Sequence, residues 1–150
     1  MSLATLGHSR IHRPGSSTNG ATVTQRDSVD FLVNGESLLV RLVSTHGGHG
    51  DYMGCFVQGF LDAAKEALSE LLLEEAGTTE RRVGIYICPE CGDIGCGRFS
   101  VLVDRRVNEV VWSGFAYENG YEDPLTFEDL GPFHFELTQY ENAIRRAAEV

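Results

Sequence analysis

A chain of 150 residues, 42% of them hydrophobic, is long enough for one domain with a core of ordinary size, and its formal charge of −10 argues against phosphate backbones and anionic lipid as partners. No apolar run approaches the roughly 20 residues of a membrane span, and no apolar signal segment opens the chain. The expectation is a cytoplasmic protein, bound to neither nucleic acid nor membrane, whose four cysteines are reduced thiols or metal ligands rather than disulfides.

Residues 1–26 hold Arg10, Arg13 and Arg26 and no acid, so the negative charge belongs to the body. They are rich in Ser, Thr, Gly and His, include Pro14-Gly15 and show no apolar period. They read as a disordered tail, with residues 27–150 as a single α+β domain. In "SVDFLVNGESLLVRLVS" Val29, Phe31 and Val33 alternate with polar neighbours, Asn34-Gly35 suits a type I′ turn, and Leu38, Val40 and Leu42 resume the alternation. This pattern predicts a β-hairpin. A glycine-rich loop follows, then a helix that starts near Gly59, aligns Phe60, Leu61, Ala64, Leu68, Leu71 and Leu72, and is capped by Gly77.

Val83, Ile85 and Ile87 alternate into the segment "ICPECGDIGCGRF", and Phe99, Val101 and Val103 alternate out of it. With "VNEVVWSGF" as a third strand placing Trp112 in packing, residues 83–115 predict an antiparallel meander. In "TQYE", Thr138 and Glu141 form a capping box, and Tyr140, Ala143, Ile144 and Ala147 are the stripe of a last helix. The expected order is ββαβββα: a mostly antiparallel five-stranded sheet with two helices packed on one face.

The chemistry concentrates in the cysteines. Zinc bound by thiolates takes four tetrahedral ligands at about 2.3 Å, and C-x2-C is the spacing by which one backbone turn delivers two of them. Cys88 and Cys91 have that spacing, Pro89 fixes φ after the first ligand, and Gly92 after the second frees N–H groups to donate to sulfur. Cys96 adds a third sulfur. A fourth ligand has to come from afar: Cys55 by element type, His46 or His49 as alternatives, with Asp93 ranked below them. A Cys88–Cys91 dithiol would instead suit redox chemistry, although such motifs sit at a helix N-terminus and a strand follows here.

In "THGGHGDYMG" the spacing of Gly48, Gly50 and Gly54 departs from the dinucleotide fingerprint, and no parallel crossover follows, so a surface loop is preferred over a cofactor site. "YENGYEDPLTFEDLGPF" interleaves acids with aromatic residues without the ligand spacing of a calcium loop. Tyr117, Glu118, Tyr121, Glu122 and Asp123 form its candidate docking surface for another protein.

"CPECG" resembles one knuckle of a zinc-ribbon or rubredoxin-type site. Over residues 83–147, "YICPECGDIGCGRFSVLV", "VVWSGFAYENGYE" and "LGPFHFELTQYENAI" resemble a group of small bacterial proteins, frequent in actinobacteria, some of which are labelled oxidoreductase. The resemblance implies a bacterial cytosolic origin and supplies no catalytic residue. Together these features predict a non-catalytic protein with a structural zinc on Cys88, Cys91, Cys96 and a fourth donor, acting through protein–protein interaction. The alternatives are an oxidoreductase using the Cys88–Cys91 dithiol or a cofactor at the 46–54 loop, and an immunity or regulatory partner whose acidic face meets a basic protein.

Overall fold

The structure, a computed structural model, describes residues 3–18 and 20–149. It opens with β1 (Leu6–Arg13), the short pair β2 (Ser16–Thr18) and β3 (Ala21–Val23), and β4 (Arg26–Val33). β1 runs antiparallel to β4 along its whole length, from Leu6↔Val33 to Arg13↔Arg26. The tail expected over 1–26 is thus replaced, among the described residues, by a β-ribbon. Its side chains give no apolar period because only Leu6 of β1 is buried. What orders the strand is a backbone ladder and groups far away in sequence: the Gln139 side chain accepts the Leu6 N–H at 3.1 Å and donates to the Leu6 carbonyl at 2.7 Å.

Asn34 and Gly35 turn at positive φ, 53° and 81°, as expected, and β5 (Glu36–Ser37) pairs back onto β4. The second hairpin strand ends there. α1 (Leu38–His46) takes its place, because Leu38, Leu39 and Leu42 also fall on one helical face. The Ser37 hydroxyl accepts the Val40 N–H at 3.1 Å as N-cap, and Gly47, at φ 92°, closes the helix on the Val43 carbonyl. Val40, which an alternating strand would have buried with Leu38 and Leu42, is 66% exposed.

β6 (Met53–Gly54), α2 (Leu61–Leu71), β7 (Glu80–Ile87), β8 (Arg98–Arg105), β9 (Glu109–Glu118), β10 (Leu125–Thr126), β11 (Phe133–Glu136) and α3 (Leu137–Ala148) complete the chain. β7, β8 and β9 form the expected antiparallel meander. They sit in a six-stranded sheet of order β10-β9-β8-β7-β6, with β11 also on β9. The class is α+β and the pairing mostly antiparallel, but the described residues form sheets of three, six and two strands with three α-helices, not one five-stranded sheet with two.

α2 is shorter than its apolar run: it ends at Leu71, well before Gly77, and Leu61 is 65% exposed. α3 buries Tyr140, Ala143, Ile144 and Ala147 as the stripe predicts. Its cap is Glu136, whose carboxylate accepts the Gln139 N–H at 2.8 Å, so Thr138 lies inside the helix. Trp112 is fully buried and lies edge-on to Phe31, with ring centroids 5.8 Å apart. Its indole N–H donates to the Tyr140 hydroxyl at 3.2 Å, which donates to the Leu71 carbonyl at 2.7 Å, tying β9, α3 and α2 together. No helix among the described residues is long and apolar enough to cross a membrane.

Candidate metal centre

Between β7 and β8 the backbone folds twice on itself. The Gly92 N–H returns to the Cys88 carbonyl at 2.8 Å, with Gly92 in the left-handed region at φ 67°. The Asp93 N–H then points at Cys91 Sγ, 3.5 Å away, the N–H···S contact expected of a metal knuckle. Asp93 accepts the Gly95 N–H at 3.2 Å and starts a single 3-10 turn, Ile94–Cys96, which swings the third thiol back towards the first two.

The sulfurs of Cys88, Cys91 and Cys96 consequently lie within 4.8 Å of one another, Cys88 half-buried and the other two exposed. Around a tetrahedral ion with bonds of about 2.3 Å, thiolate sulfurs stand about 3.8 Å apart, so small side-chain rotations bring all three to one centre. The three thiols form a cluster able to hold a metal ion. Cys91 and Cys96 Sγ are in disulfide contact, while their Cα atoms are 7.3 Å apart, beyond the roughly 4.4–6.8 Å that ordinary disulfides span.

The knuckle is held from outside by the ribbon. Glu90, between the first two cysteines, accepts the Thr24 N–H at 3.0 Å and its hydroxyl at 3.2 Å, and pairs with the Arg13 guanidinium at 2.7 Å. The Thr24 N–H, and then Arg13, hold the Glu90 carboxyl below the usual range. Arg26 Nε donates to the Pro89 carbonyl at 2.9 Å, and its guanidinium lies 4.5 Å from the Phe60 ring centre. Phe60 packs on Gly92 so closely that a Cβ there would stand 3.2 Å from the ring. No sequence pattern marks Arg13, Thr24 and Arg26, because their role depends on pairings across more than 60 residues.

On the other side of the thiols, the Tyr52 hydroxyl donates to the Cys96 carbonyl at 2.8 Å. The Tyr52 and Tyr117 hydroxyls both crowd Gly97, where any Cβ would overlap them. His49 stacks on Tyr52 with ring centroids 4.6 Å apart, and His46 lies 5.0 Å from His49 and 4.5 Å from Tyr117. His46 Nδ1 is buried without a hydrogen-bond partner, and burial, reinforced by His49, lowers the His46 pKa.

The expected fourth donors are therefore placed differently from the three thiols. Among the described residues, neither Cys55 nor His46 nor His49 joins the group within 4.8 Å. Cys55 lies in the core, 3% exposed, and burial pushes its thiol pKa far up. The histidines are absorbed by aromatic packing at the β8–β9 surface. Gly54, counted in the glycine loop, serves close packing instead, since the Val29 carbonyl occupies the space of a Cβ there and the Ser28 hydroxyl donates to the Gly54 carbonyl at 2.6 Å.

The expected docking residues divide likewise. Tyr117 turns towards the histidines and Glu118 pairs with Arg98 at 3.0 Å. Tyr121, 82% exposed, remains at the surface with Glu122 and Asp123. The Tyr121 hydroxyl is 3.2 Å from where a Cβ on Gly95 would lie, so the acidic loop and the cysteine turn share one surface. Comparison with protein-family models, curated proteins and solved structures gives no match for the chain.

Proposed function

We propose that this is a non-catalytic protein in which Cys88, Cys91 and Cys96 hold a zinc ion that fastens the β7–β8 end, and that it acts by binding another protein beside that centre. The convergence of three sulfurs within 4.8 Å supports this reading. The donors are soft, as zinc and other thiophilic ions prefer, and the N–H···S contact stabilises a thiolate rather than a thiol. In this role the metal contributes folding free energy and no reaction. The exposed Tyr121, Glu122 and Asp123 supply a partner surface suited to a basic segment. A reducing compartment such as the cytoplasm, the address expected for the bacterial group that residues 83–147 resemble, would keep the thiols available.

Protein purified without chelator is predicted to carry about one equivalent of zinc and to melt at a lower temperature once chelated. Metal-free protein whose melting temperature does not respond to zinc would overturn the reading. The contact between Cys91 and Cys96 favours one second reading, an oxidoreductase working through that pair rather than through Cys88–Cys91. It predicts reversible oxidation at a defined potential and fast alkylation of one of these two thiols near neutral pH.

A further inference from the structure

We infer that the zinc centre has three ligands from this chain and that its fourth position takes a neutral imidazole from outside it, a histidine side chain of a partner protein. The inference rests on the zinc reading above.

The internal donors are otherwise engaged. Cys55 is enclosed in the core, where its backbone N–H is tied to the Ile85 carbonyl at 2.9 Å. Reaching the thiols with His46 or His49 would undo the packing on Tyr117, Phe99 and Tyr52. Asp93 holds the Gly95 N–H and with it the turn that presents Cys96, and Glu90 is saturated by Thr24 and Arg13. Meanwhile Cys91 and Cys96 are exposed, so the cluster opens to solvent. Zinc with three protein ligands keeps an exchangeable fourth position, held by water until a better donor arrives.

Charge selects that donor. Three thiolates on a divalent ion leave a net −1, in a chain of formal charge −10 with Asp93 exposed beside Cys91 and with Glu122 and Asp123 exposed next to Tyr121 in sequence. An anionic fourth ligand would add to this field, whereas an imidazole adds none and is a good zinc ligand. Tyr121, exposed over Gly95, offers the incoming side chain an aromatic neighbour.

The test uses the full chain loaded with cobalt(II), whose visible spectrum reports the donor set, and titrates free imidazole against 2-mercaptoethanol. The expected result is a tetrahedral three-thiolate spectrum whose bands shift saturably with imidazole, at lower concentration than with the thiol. The shift persists in Cys55→Ser and in a His46→Phe, His49→Phe double variant. A cobalt(II) spectrum that ignores imidazole, or that responds first to the thiol, would overturn the inference and leave the zinc reading standing. So would loss of the tetrahedral spectrum in either variant while it still melts cooperatively. Absence of any cobalt(II) spectrum would overturn the zinc reading, and the inference with it.

Discussion

The Glu90 carboxylate accepts the Thr24 backbone N–H at 3.0 Å, which fastens the turn between two cysteines to the first β-ribbon of the chain. With Arg13 on the same carboxylate and Arg26 on the Pro89 carbonyl, the ribbon and the knuckle position each other. Glu90→Gln keeps the shape and removes the charge that holds Arg13. Amide exchange over residues 20–26 is predicted to speed up in this variant and, on the zinc reading proposed above, in the natural protein after chelation. Because folding lowers the Glu90 pKa, the latch holds above the ordinary carboxylate range and loosens as pH falls through the folded value. Exchange that responds neither to the substitution nor to the metal would show the two parts to be independent.

His46 sets a second pH dependence, at higher pH. Its imidazole takes a proton less readily in the fold than in the unfolded chain, where the pKa is about 6.5. Stability from its burial is complete above that value and is lost as pH falls below it towards the lowered folded pKa. His46→Phe retains the ring against Tyr117 and removes the unpartnered Nδ1. The variant should be more stable by about 1 kcal/mol near pH 7.5, with a flatter melting-temperature profile between about pH 5 and 7.5. An unchanged profile would contradict the assignment.

Tyr140 is the joint of the core, receiving the Trp112 N–H and donating to the Leu71 carbonyl. Tyr140→Phe keeps the ring and strands both partners in apolar surroundings. Urea unfolding should show a loss of about 1–3 kcal/mol. A loss below about 0.5 kcal/mol would mean that these groups find other partners.

Gly97 is required for two reasons, its φ of 89° and the two tyrosine hydroxyls that occupy the space of a Cβ. Gly97→Ala should destabilise the fold by about 1–3 kcal/mol. It should also weaken zinc binding, since the displaced Tyr52 hydroxyl releases the Cys96 carbonyl. Competition with a chromogenic chelator reads the second effect, and unchanged affinity would separate the tyrosines from the metal centre.

The legible parts of this chain are those in which local chemistry and tertiary packing agree. The β7–β9 meander is legible because Val83, Ile85, Phe99, Val101 and Val103 alternate along the sequence and are all buried, and α3 shows its stripe because Tyr140, Ala143, Ile144 and Ala147 are all buried. Cys88, Cys91 and Cys96 can be grouped from sequence because one local backbone path brings them together. The segment from Leu38 to Leu42 is ambiguous in itself: Leu38, Val40 and Leu42 fit a strand, and Leu38, Leu39 and Leu42 fit a helix. The Ser37 cap and the Gly47 terminator decide it. β1 is hidden because its order comes from backbone pairing and from Gln139, and the placement of His46 and His49 apart from the thiols because it depends on aromatic packing between distant elements.

The proposed function turns on a three-thiolate zinc centre, which X-ray absorption at the zinc edge of the purified full chain would read out. Three sulfur neighbours at about 2.3 Å and one nitrogen or oxygen neighbour at about 2.0–2.1 Å are expected, with fewer sulfurs in Cys96→Ser. A protein without zinc, or a shell of four sulfurs that recruits Cys55, would refute the three-thiolate assignment.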